Sequence, residues 1–475
     1  MPPPPPDVTA VLDRVRANDS PYVKVAIVDI DGVLRGKYLD RDKFLTAATG
    51  DGFGFCDVVF GWDSGDECYD ADSTTGPAAT APYTGWRTGY PDGAVRIDLS
   101  THRTIPWEQG RDFFLCDFVG SGAGYDVCPR LVLGHVVDRL DAAGFSAKAA
   151  FELEWFNFRE TPGSAHDKGY RDLEPLTPGM FGYSILRQSH NQPFLDALLT
   201  DLRAFDVPLE GLHTETGPGV LEAAIRYGAP LAAADRATLL KSSAKEIGAR
   251  FGIMPSFMAR IADTLPGCSG HLHQSLWDAD GERSLFAADG SAGASDGRIS
   301  ATFRSYLAGI LSLLPECAAL LAPTVNSYKR LVDGFWAPTT ATWGFDNRTV
   351  AARVIAPGGS APVSATGTRL ELRVPGSDVN PHLGLAFALA AGLHGIERDL
   401  ELGPPTVGSG YVVEGAPRLP RTLAEATERL HTSATARELF GDGFIDHYCT
   451  TRDWEWRRFR DAVTDWELRR YFEII

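Results

Sequence analysis

The 475-residue sequence lacks cysteine pairs of the CxxC type, apolar runs of transmembrane length and an excess of basic residues. Its seven cysteines are scattered and odd in number, which is typical of reduced thiols in the cytoplasm rather than of disulfides or a zinc site. A helix that spans a bilayer needs about 20 apolar residues, so we expect no membrane partner. The net charge of −17 argues against nucleic acid as a partner, because phosphate binding needs clustered Lys and Arg.

Three apolar, strand-like segments each carry polar or ionisable residues two positions apart. These residues are Glu152 and Glu154 in 151–156, His271 and His273 in 270–273, and Glu371 and Arg373 in 370–374. Successive side chains of a strand point to opposite faces, so the members of each pair share a face. Burying such a face among Phe, Leu and Trp costs free energy unless a cation or a charged ligand lies opposite. These strands are therefore predicted to line a site.

A fourth segment, residues 213–222, places Glu215 and Glu222 on either side of a Gly-Pro-Gly turn that can direct both at one point. The five glutamates and at least one imidazole form an oxygen-rich set, which suits Mg²⁺ or Mn²⁺ better than a structural zinc. The alternative is that each pair lies on the solvated face of an antiparallel sheet, which is common for a single pair. Three pairs and the turn together favour a site. We interpret His213 as a structural histidine rather than a ligand.

The order of predicted elements divides the chain into a tail and two domains. Residues 1–20 are predicted to form a flexible tail with one short helix, and residues 21–118 form a small domain rich in strands, Gly and Asp. Strands and helices alternate in residues 119–475. Helices are predicted at residues 130–143, 193–205, 235–251, 381–400 and 454–472, and a surface loop at residues 277–298.

Six motifs in this order resemble those of the glutamine synthetase family in the broad sense, including its γ-glutamyl-amine ligase branches. The motifs are Glu-x-Glu at 152–154, Glu-x-Gly-Pro-Gly-x-x-Glu at 215–222, Gly-His-Leu-His-Gln-Ser-Leu at 270–276, Asn-Ser-Tyr-Lys-Arg-Leu at 326–331, Asn347-Arg348 with Arg353, and Glu-Leu-Arg-Val-Pro at 371–375 followed by Asn380-Pro381. The resemblance extends over nearly the whole chain.

The resemblance implies an α+β fold, with a β-grasp-like domain at residues 21–118 and a catalytic domain at residues 119–475. The catalytic domain would hold two metal ions, Mg²⁺ or Mn²⁺, on a curved antiparallel sheet. ATP and glutamate would be substrates. Family members form homo-oligomers, usually dodecamers of two hexameric rings, in which neighbouring subunits share each site.

The resemblance also implies a role for individual residues of each motif. One metal ion would be bound by Glu154, Glu215 and Glu222, and the other by Glu152, His271 and Glu371. The acid substrate would lie at Arg373, Arg330 and Gly267, the transferring phosphoryl group at Arg330, Arg348 and Arg353, and the nucleotide at Tyr227, His273, Ser275 and Arg353.

Position 336 departs from the ammonia-using members of this family. Those members have a Glu six residues after the Arg of the Tyr-Lys-Arg-Leu motif, on a flap where it helps to bind and deprotonate ammonium, whereas this chain has Trp336. An indole cannot accept a proton, but it can line a pocket for the carbon part of a larger amine. The sequence therefore predicts an ATP-dependent ligase that joins glutamate to a primary amine, with ammonia as the alternative acceptor. Packing of Trp336 on a displaced flap is the other interpretation of this residue.

Two further departures lie close to the motifs. Residues 266–270, Pro-Gly-Cys-Ser-Gly, replace a common Asn-Gly-Ser-Gly whose Asn touches the glutamate amino group, and Thr214 stands where a second His is common. The acid that a neighbouring subunit contributes to ammonium binding is expected at Asp63, with Asp66 as a competitor and Asp98 near a second acidic position.

Two other functions are compatible with parts of the sequence. Residues 28–34 match the nucleophile motif of haloacid-dehalogenase-type phosphatases, but the downstream Lys and paired Asp of those enzymes are not evident in a sensible order. We therefore interpret this segment as a strand and turn. A ring-forming relative without activity is the second alternative, and such proteins typically lose metal ligands, whereas all six expected ligands are present here.

Overall fold

The computed structural model of this protein describes residues 7–50, 52–69, 83–119, 127–288, 297–358 and 363–475. The fold is α+β, as the sequence predicts, with two separate sheets. Within the described residues, no helix is long and apolar enough to cross a membrane. The predicted surface loop lies partly outside these residues, at 289–296.

The N-terminal part of the chain forms a six-stranded sheet with strand order β2-β1-β6-β4-β3, and β5 pairs with β6. Strands β1 and β6 run parallel, and the other neighbours are antiparallel. Strand β6 ends at Phe118, and the domain boundary predicted after that residue stays a prediction. The elements are α1 Val8–Ala17, β1 Tyr22–Val28, β2 Leu34–Asp40, α2 Arg41–Thr49, β3 Phe53–Cys56, β4 Asp92–Ile97, β5 Arg103–Ile105 and β6 Arg111–Phe118.

The sequence predicts one short helix within the tail, and helix α1 is found there, but it is packed against the protein instead of belonging to a flexible tail. Asp7 caps its N-terminus by accepting a hydrogen bond from Ala10 N–H, and its apolar side chains Val11, Leu12 and Val15 are buried. Val15 follows Leu12 by three positions and Val11 by four, about one turn, so the three residues form one face that packs into the N-terminal hydrophobic core. Residues 8–17 are therefore folded onto the first sheet.

The second sheet has eight strands in the order β12-β13-β14-β11-β7-β9-β8, and β10 pairs with the far end of β7. All neighbours are antiparallel except β12 and β13. Strands that are distant in the sequence thus become neighbours. The strands are β7 Phe145–Phe158, β8 Leu209–Thr214, β9 Val220–Ile225, β10 Met254–Ser256, β11 Gly270–Asp278, β12 Trp343–Phe345, β13 Ala352–Ile355 and β14 Arg369–Leu372.

Helices surround this second sheet. They are α3 Pro129–Ala142, α4 Pro162–Asp167, α5 Ile185–His190, α6 Gln192–Ala204, α7 Pro230–Ala249, α8 Ala301–Cys317, α9 Ser327–Arg330, α10 Pro381–Glu397, α11 Leu423–Thr432, α12 Ala434–Phe440, α13 Asp442–Asp461 and α14 Asp465–Tyr471. Asn380 caps α10 and Pro381 occupies its first position, as predicted. Helix α10 is apolar on all sides because it is buried between other elements. Gly309 of α8 allows close contact with it, since a Cβ there would lie 2.2 Å from the Ala391 carbonyl oxygen.

The C-terminal region differs from the single predicted helix over residues 454–472. Helix α13 begins earlier, at Asp442, and ends at Asp461, and α14 begins at Asp465. Thr464 and Glu467 form a capping box at the start of α14, in which each side chain accepts a hydrogen bond from the backbone of the other. A new N-terminus is thus stabilised inside the predicted helix, which the amphipathic pattern alone does not reveal.

The turn between β1 and β2 carries the phosphatase-like motif. Asp29 accepts hydrogen bonds from the backbone N–H groups of Asp31 at 3.0 Å and Val33 at 2.8 Å, and from Arg35 Nε at 2.9 Å. Asp31 forms an ion pair of 2.6 Å with Arg452 of α13. Both aspartates therefore have structural partners, and the turn connects the N-terminal sheet with the C-terminal helices.

Candidate active site

The four predicted site segments lie on adjacent strands of the second sheet. Because the order is β14-β11-β7-β9-β8, the ionisable side chains of these strands face one another in register. The facing pairs are Glu371 with His273, His271 with Glu152, Glu222 with Glu154, and His213 with Glu222. The predicted shared face is therefore confirmed, and it continues across five strands.

A first cluster on this face contains Glu152, His271, His273 and Glu371. Glu152 Oε2 lies 3.3 Å from His273 Nε2 and 3.7 Å from His271 Nδ1, which in turn lies 3.4 Å from Glu371 Oε1. One ligand atom from each of Glu152, His273 and Glu371 falls within 4.8 Å of the other two. The geometry thus includes His273, which the resemblance assigns to the nucleotide, in the candidate metal set.

A second cluster contains His213, Glu215 and Glu222, whose possible ligand atoms also lie within 4.8 Å of one another. His213 lies 3.8 Å from Glu215 through Nδ1 and 3.7 Å from Glu222 through Nε2, and its ring stacks on Tyr183 at 4.3 Å. The interpretation of His213 as merely structural therefore overlooked a cluster member. His213 and Glu215 are two positions apart in the sequence, and this spacing already indicates that their side chains share one face of a strand.

Glu154 lies between the two clusters but has protein partners of its own. Its carboxylate accepts hydrogen bonds from the Ser269 backbone N–H at 2.7 Å and from the Ser269 hydroxyl at 2.6 Å. Burial nevertheless raises the pKa of Glu154 above its ordinary value, and the nearby Glu215 contributes to the increase. Ser269 belongs to the segment in which the sequence departs from the family pattern.

The charges on this face are unbalanced in a way that fits bound cations. Burial and the neighbouring carboxylates of Glu154, Glu152 and Glu215 raise the pKa of Glu222 to about 9. Nε2 of His273 faces Glu152 Oε2 at 3.3 Å and yet is buried without a hydrogen-bond partner within the described residues, as are Nδ1 of the same ring and Nε2 of His271. Crowded carboxylates next to unpaired imidazole nitrogens are the donor set that a divalent metal ion needs. The residues present therefore fit metal binding.

Arginines adjoin the first cluster. Glu371 forms ion pairs with Arg373 and with Arg353 Nη1, the latter at 2.6 Å, and Arg353 also pairs with Asp346 at 2.9 Å. Although burial raises the pKa of Glu371, His271 and these cations lower it to about 2. Nε of Arg373 is buried without a hydrogen-bond partner in the part of the chain that the structure describes. A donor is thus available for a substrate anion.

Arg330 is held deep beside this cluster. Its side chain is buried, and it donates hydrogen bonds to the carbonyl oxygens of Val374 at 2.9 Å and Arg373 at 3.2 Å. Gly267 makes room for it, because a Cβ at that position would lie 2.7 Å from Arg330 Cγ. Gly267 therefore supports the arginine that the sequence places at the acid substrate.

A cavity of about 450 Å³ opens next to the first cluster. Its lining contains Tyr227, His273 and Ser275, the three residues predicted to bind the nucleotide on this side, together with Glu152. Lys148 and Glu210 also line it, and neither was anticipated. Arg353, the fourth residue predicted to bind the nucleotide, does not line this cavity and forms an ion pair with Glu371 instead.

The structure leaves three predicted site residues outside these clusters. Trp336 is 61% exposed and has a φ of 61°, and Arg348 is exposed. Asp63 accepts a hydrogen bond from Trp454 Nε1 at 2.9 Å. The competitors Asp66 and Asp98 pair with Arg35 and Arg130. Because the role expected for Asp63 is in a neighbouring subunit, that role stays a prediction.

Residues 126–471 match the family model described as "Glutamine synthetase, catalytic domain". The chain belongs to the glutamine synthetase family. A Dictyostelium discoideum protein named type-1 glutamine synthetase 2 is 49% identical over 473 residues, which cover 98% of this chain and 86% of that protein. A glutamate–isopropylamine ligase from a Pseudomonas species is 35% identical over 473 residues, 98% of each chain.

The same relationship is seen in three dimensions. A solved structure of GmaS with ADP has a TM-score of 0.79 and 25% identity over 97% of this chain and 99% of that one. The chain is therefore an ATP-dependent carbon–nitrogen ligase of a family that uses ATP and divalent metal ions. This excludes the phosphatase and the inactive ring protein as primary functions.

Proposed function

We propose that this enzyme is a γ-glutamyl-amine ligase, which converts glutamate, ATP and a primary amine into a γ-glutamylamide, ADP and phosphate. The observation that carries the proposal is the flap, residues 331–338, which has the exposed indole of Trp336 where ammonia-using members have a carboxylate. The 35% identical glutamate–isopropylamine ligase supports an amine as acceptor.

The remaining acid of the flap strengthens this argument. Asp333 accepts a hydrogen bond from the Thr339 hydroxyl and lies 3.9 Å from Arg418 Nη1. It is the only Asp or Glu in residues 331–338. With Asp333 engaged elsewhere, the flap supplies apolar surface rather than a proton acceptor to the incoming nucleophile.

We assign the two clusters to two ions, Mg²⁺ or Mn²⁺. Glu152, His273 and Glu371, with His271, would hold one ion, and Glu215 and Glu222, with His213 and Glu154, the other. When bound, the ions supply positive charge that offsets charge developing on the transferring phosphoryl group.

The protein groups around these clusters then have distinct tasks. Arg373, whose Nε is unpartnered, would grip the α-carboxylate of glutamate with the planar fork that suits a carboxylate. Arg330 would stabilise the acid substrate and the phosphoryl group as it moves to the γ-carboxylate, and Arg353 and the exposed Arg348 would contribute from the other side. The cavity beside Glu152 would hold the nucleotide, with Tyr227, His273 and Ser275 as its contacts. Each task places a donor where negative charge develops.

The last step is attack of the amine on the acyl phosphate, and only a neutral amine is nucleophilic. A base must therefore take its proton as the C–N bond forms and phosphate leaves, and we propose that the Asp63 carboxylate of a neighbouring subunit binds the amine and accepts this proton. The assembly would then be a homo-oligomer, by expectation a dodecamer. The cytoplasmic location expected from the scattered cysteines also stays a proposal.

Glutamine synthesis from ammonia is the second candidate. It is favoured by one observation, the 49% identity to a protein named type-1 glutamine synthetase 2. The two candidates share every step except the last, so only the acceptor distinguishes them.

A phosphate-release screen tests the proposal. Purified enzyme is assayed with ATP, Mg²⁺ and glutamate, and with ammonia, alkylamines, alkanolamines and diamines added one at a time. Reactions without glutamate or without metal serve as controls. We expect glutamate-dependent release that is faster with a small primary amine than with ammonia. Equal or faster release with ammonia would favour the second candidate.

A further inference from the structure

An arginine that belongs to none of the six motifs holds the tip of the flap. The guanidinium carbon of Arg260 lies 4.6 Å from the centroid of the Phe335 ring, and Phe335 directly precedes Trp336. A guanidinium within about 6 Å of a ring centroid is attracted to the negative face of the ring. Phe335 is 37% exposed and Trp336 is 61% exposed, so the ring that contacts Arg260 is the more buried of the two.

The backbone of the flap needs an anchor at this point. The φ angle is 83° at Gly334 and 61° at Trp336, the two residues that flank Phe335. A tryptophan with a left-handed φ is strained, and such a conformation persists only where surrounding contacts hold the chain. The hydrogen bond from the Thr339 hydroxyl to Asp333 holds the base of the flap. The contact at Phe335 therefore supports the part of the backbone that presents the indole.

Arg260 is itself fixed in one orientation. Its guanidinium donates hydrogen bonds to the carbonyl oxygens of Ala262 through Nε at 3.0 Å, Asp263 through Nη2 at 2.6 Å and Lys329 through Nη1 at 2.6 Å. Its backbone N–H and carbonyl each form a hydrogen bond of 2.8 Å with the side-chain amide of Asn326. Because all three nitrogens of the planar guanidinium are engaged, the group cannot turn without losing hydrogen bonds.

The segments that fix Arg260 adjoin the acid-substrate site. Lys329 immediately precedes Arg330, the arginine assigned to the acid substrate and the phosphoryl group. Residues 257–269, between β10 and β11, include Gly267, which lies against Arg330. Arg260 thus connects the flap with both segments that surround Arg330.

We propose that Arg260 is a positioning residue for the acceptor, which holds Phe335 and so keeps the flap where the indole of Trp336 meets the incoming amine. This inference rests on the proposed function, since it takes the acceptor to be an amine recognised at the flap. Arg260 acts through the flap and not on a substrate. Loss of the ring contact should therefore weaken the interaction with the amine and leave the interactions with glutamate and ATP unchanged.

The substitution Phe335→Leu removes the ring and keeps an apolar side chain, whereas Phe335→Tyr keeps the ring. Michaelis constants for the amine, glutamate and ATP are measured by phosphate release, together with kcat and the melting temperature. We expect Phe335→Leu to raise the constant for the amine about fivefold, the effect of losing one cation–π contact. The constants for glutamate and ATP should stay within about twofold, and Phe335→Tyr should match the wild type. Phe459→Leu is the matched control, because this ring of α13 is 36% exposed and lies 5.4 Å from Lys329 Nζ in a similar contact.

A double-mutant cycle tests the arginine. Arg260→Gln removes the positive charge and keeps an amide that can donate to carbonyl oxygens. If the two side chains act through one contact, the variant with both Arg260→Gln and Phe335→Leu should have an amine constant within about twofold of that of Arg260→Gln alone. Effects that multiply in the double variant would indicate independent roles and would overturn the inference.

The outcomes separate this inference from the proposed function. An unchanged amine constant in Phe335→Leu would overturn the inference while leaving the ligase reaction intact. An equal rise in all three constants would also overturn it, because it would indicate a purely structural role. If Arg260→Gln does not fold, the two Phe335 variants decide the question by themselves. Wild-type enzyme that releases phosphate as fast with ammonia as with any amine would instead refute the proposed function, and the inference with it.

Discussion

Replacing Gly267 with alanine tests whether the position of Arg330 is essential for the chemistry. The added Cβ would lie 2.4 Å from the Ala259 carbonyl oxygen and 2.7 Å from Arg330 Cγ. Both distances are far below van der Waals contact. The Ala259 atom is a backbone carbonyl oxygen, which also accepts a hydrogen bond from Cys268 N–H at 2.8 Å. The added methyl group therefore requires a shift of the backbone at Gly267 or Ala259 and displaces the Arg330 side chain as well.

The magnitude follows from the hydrogen bonds that Arg330 would lose. Its guanidinium donates to Val374 O and Arg373 O from a buried position. A hydrogen bond to a charged group contributes about 1.5 to 3 kcal/mol. If the displaced arginine loses one such contact in the transition state, kcat/KM should fall about ten- to hundredfold, since each 1.36 kcal/mol is about a factor of ten.

The assay is glutamate-dependent phosphate release, with circular dichroism to check the fold. Gly134→Ala in α3 is the matched control, because a Cβ there meets no atom within 4 Å. Alanine is also the better helix former at that position. A Gly267→Ala enzyme with kcat/KM within about twofold of wild type would show that Arg330 either tolerates displacement or has no part in the reaction.

Four further changes test other parts of the site. Glu152→Gln should nearly abolish phosphate release with the fold intact, and release at the wild-type rate would remove Glu152 from the metal site. Arg373→Lys should raise the Michaelis constant for glutamate far more than that for ATP, because an ammonium cannot grip a carboxylate with two hydrogen bonds. Asp63→Ala should lose activity that mixing with Glu152→Gln subunits partly restores, and a fully active monomer by light scattering would contradict shared sites. The pKa of Glu222 is raised to about 9 without metal, so Mg²⁺ must displace a proton when it binds. The affinity of the protein for Mg²⁺, measured by calorimetry, should therefore increase up to about tenfold per pH unit from pH 6 to pH 9. A pH-independent affinity would contradict the crowding of carboxylates.

Strand periodicity was enough to predict the active face of the second sheet. The spacing of Glu152 and Glu154, and of Glu371 and Arg373, fixes which side chains share a face, because the period of a strand is two. The Gly-Pro-Gly turn likewise brings Glu215 and Glu222 together, as their distances in the second cluster show. These features are local, so they can be inferred from a few neighbouring residues.

The pairing of strands could not be predicted in the same way. Whether His271 or His273 joins Glu152 and Glu371 depends on the register between β11, β7 and β14, which are more than 90 residues apart in sequence. Register is set by packing of the whole sheet, and a local pattern does not determine it.

Long-range contacts explain the remaining differences. The burial of Val15 in α1 depends on a core formed by later strands. The sequence shows the hydrophobic pattern of each segment, but it does not show against which other segment that pattern packs.

Product analysis under competition tests the central claim most directly. Wild-type enzyme is supplied with ATP, Mg²⁺, glutamate and equal concentrations of ammonia and a small primary amine, and the products are quantified by mass spectrometry. Each methylene buried against Trp336 would contribute roughly 0.8 kcal/mol, so two or three should favour the γ-glutamylamide over glutamine by about thirtyfold. Trp336→Glu should shift the products toward glutamine. If wild type forms glutamine as efficiently as any γ-glutamylamide in a panel of amines, Trp336 has only a packing role and the enzyme is a glutamine synthetase.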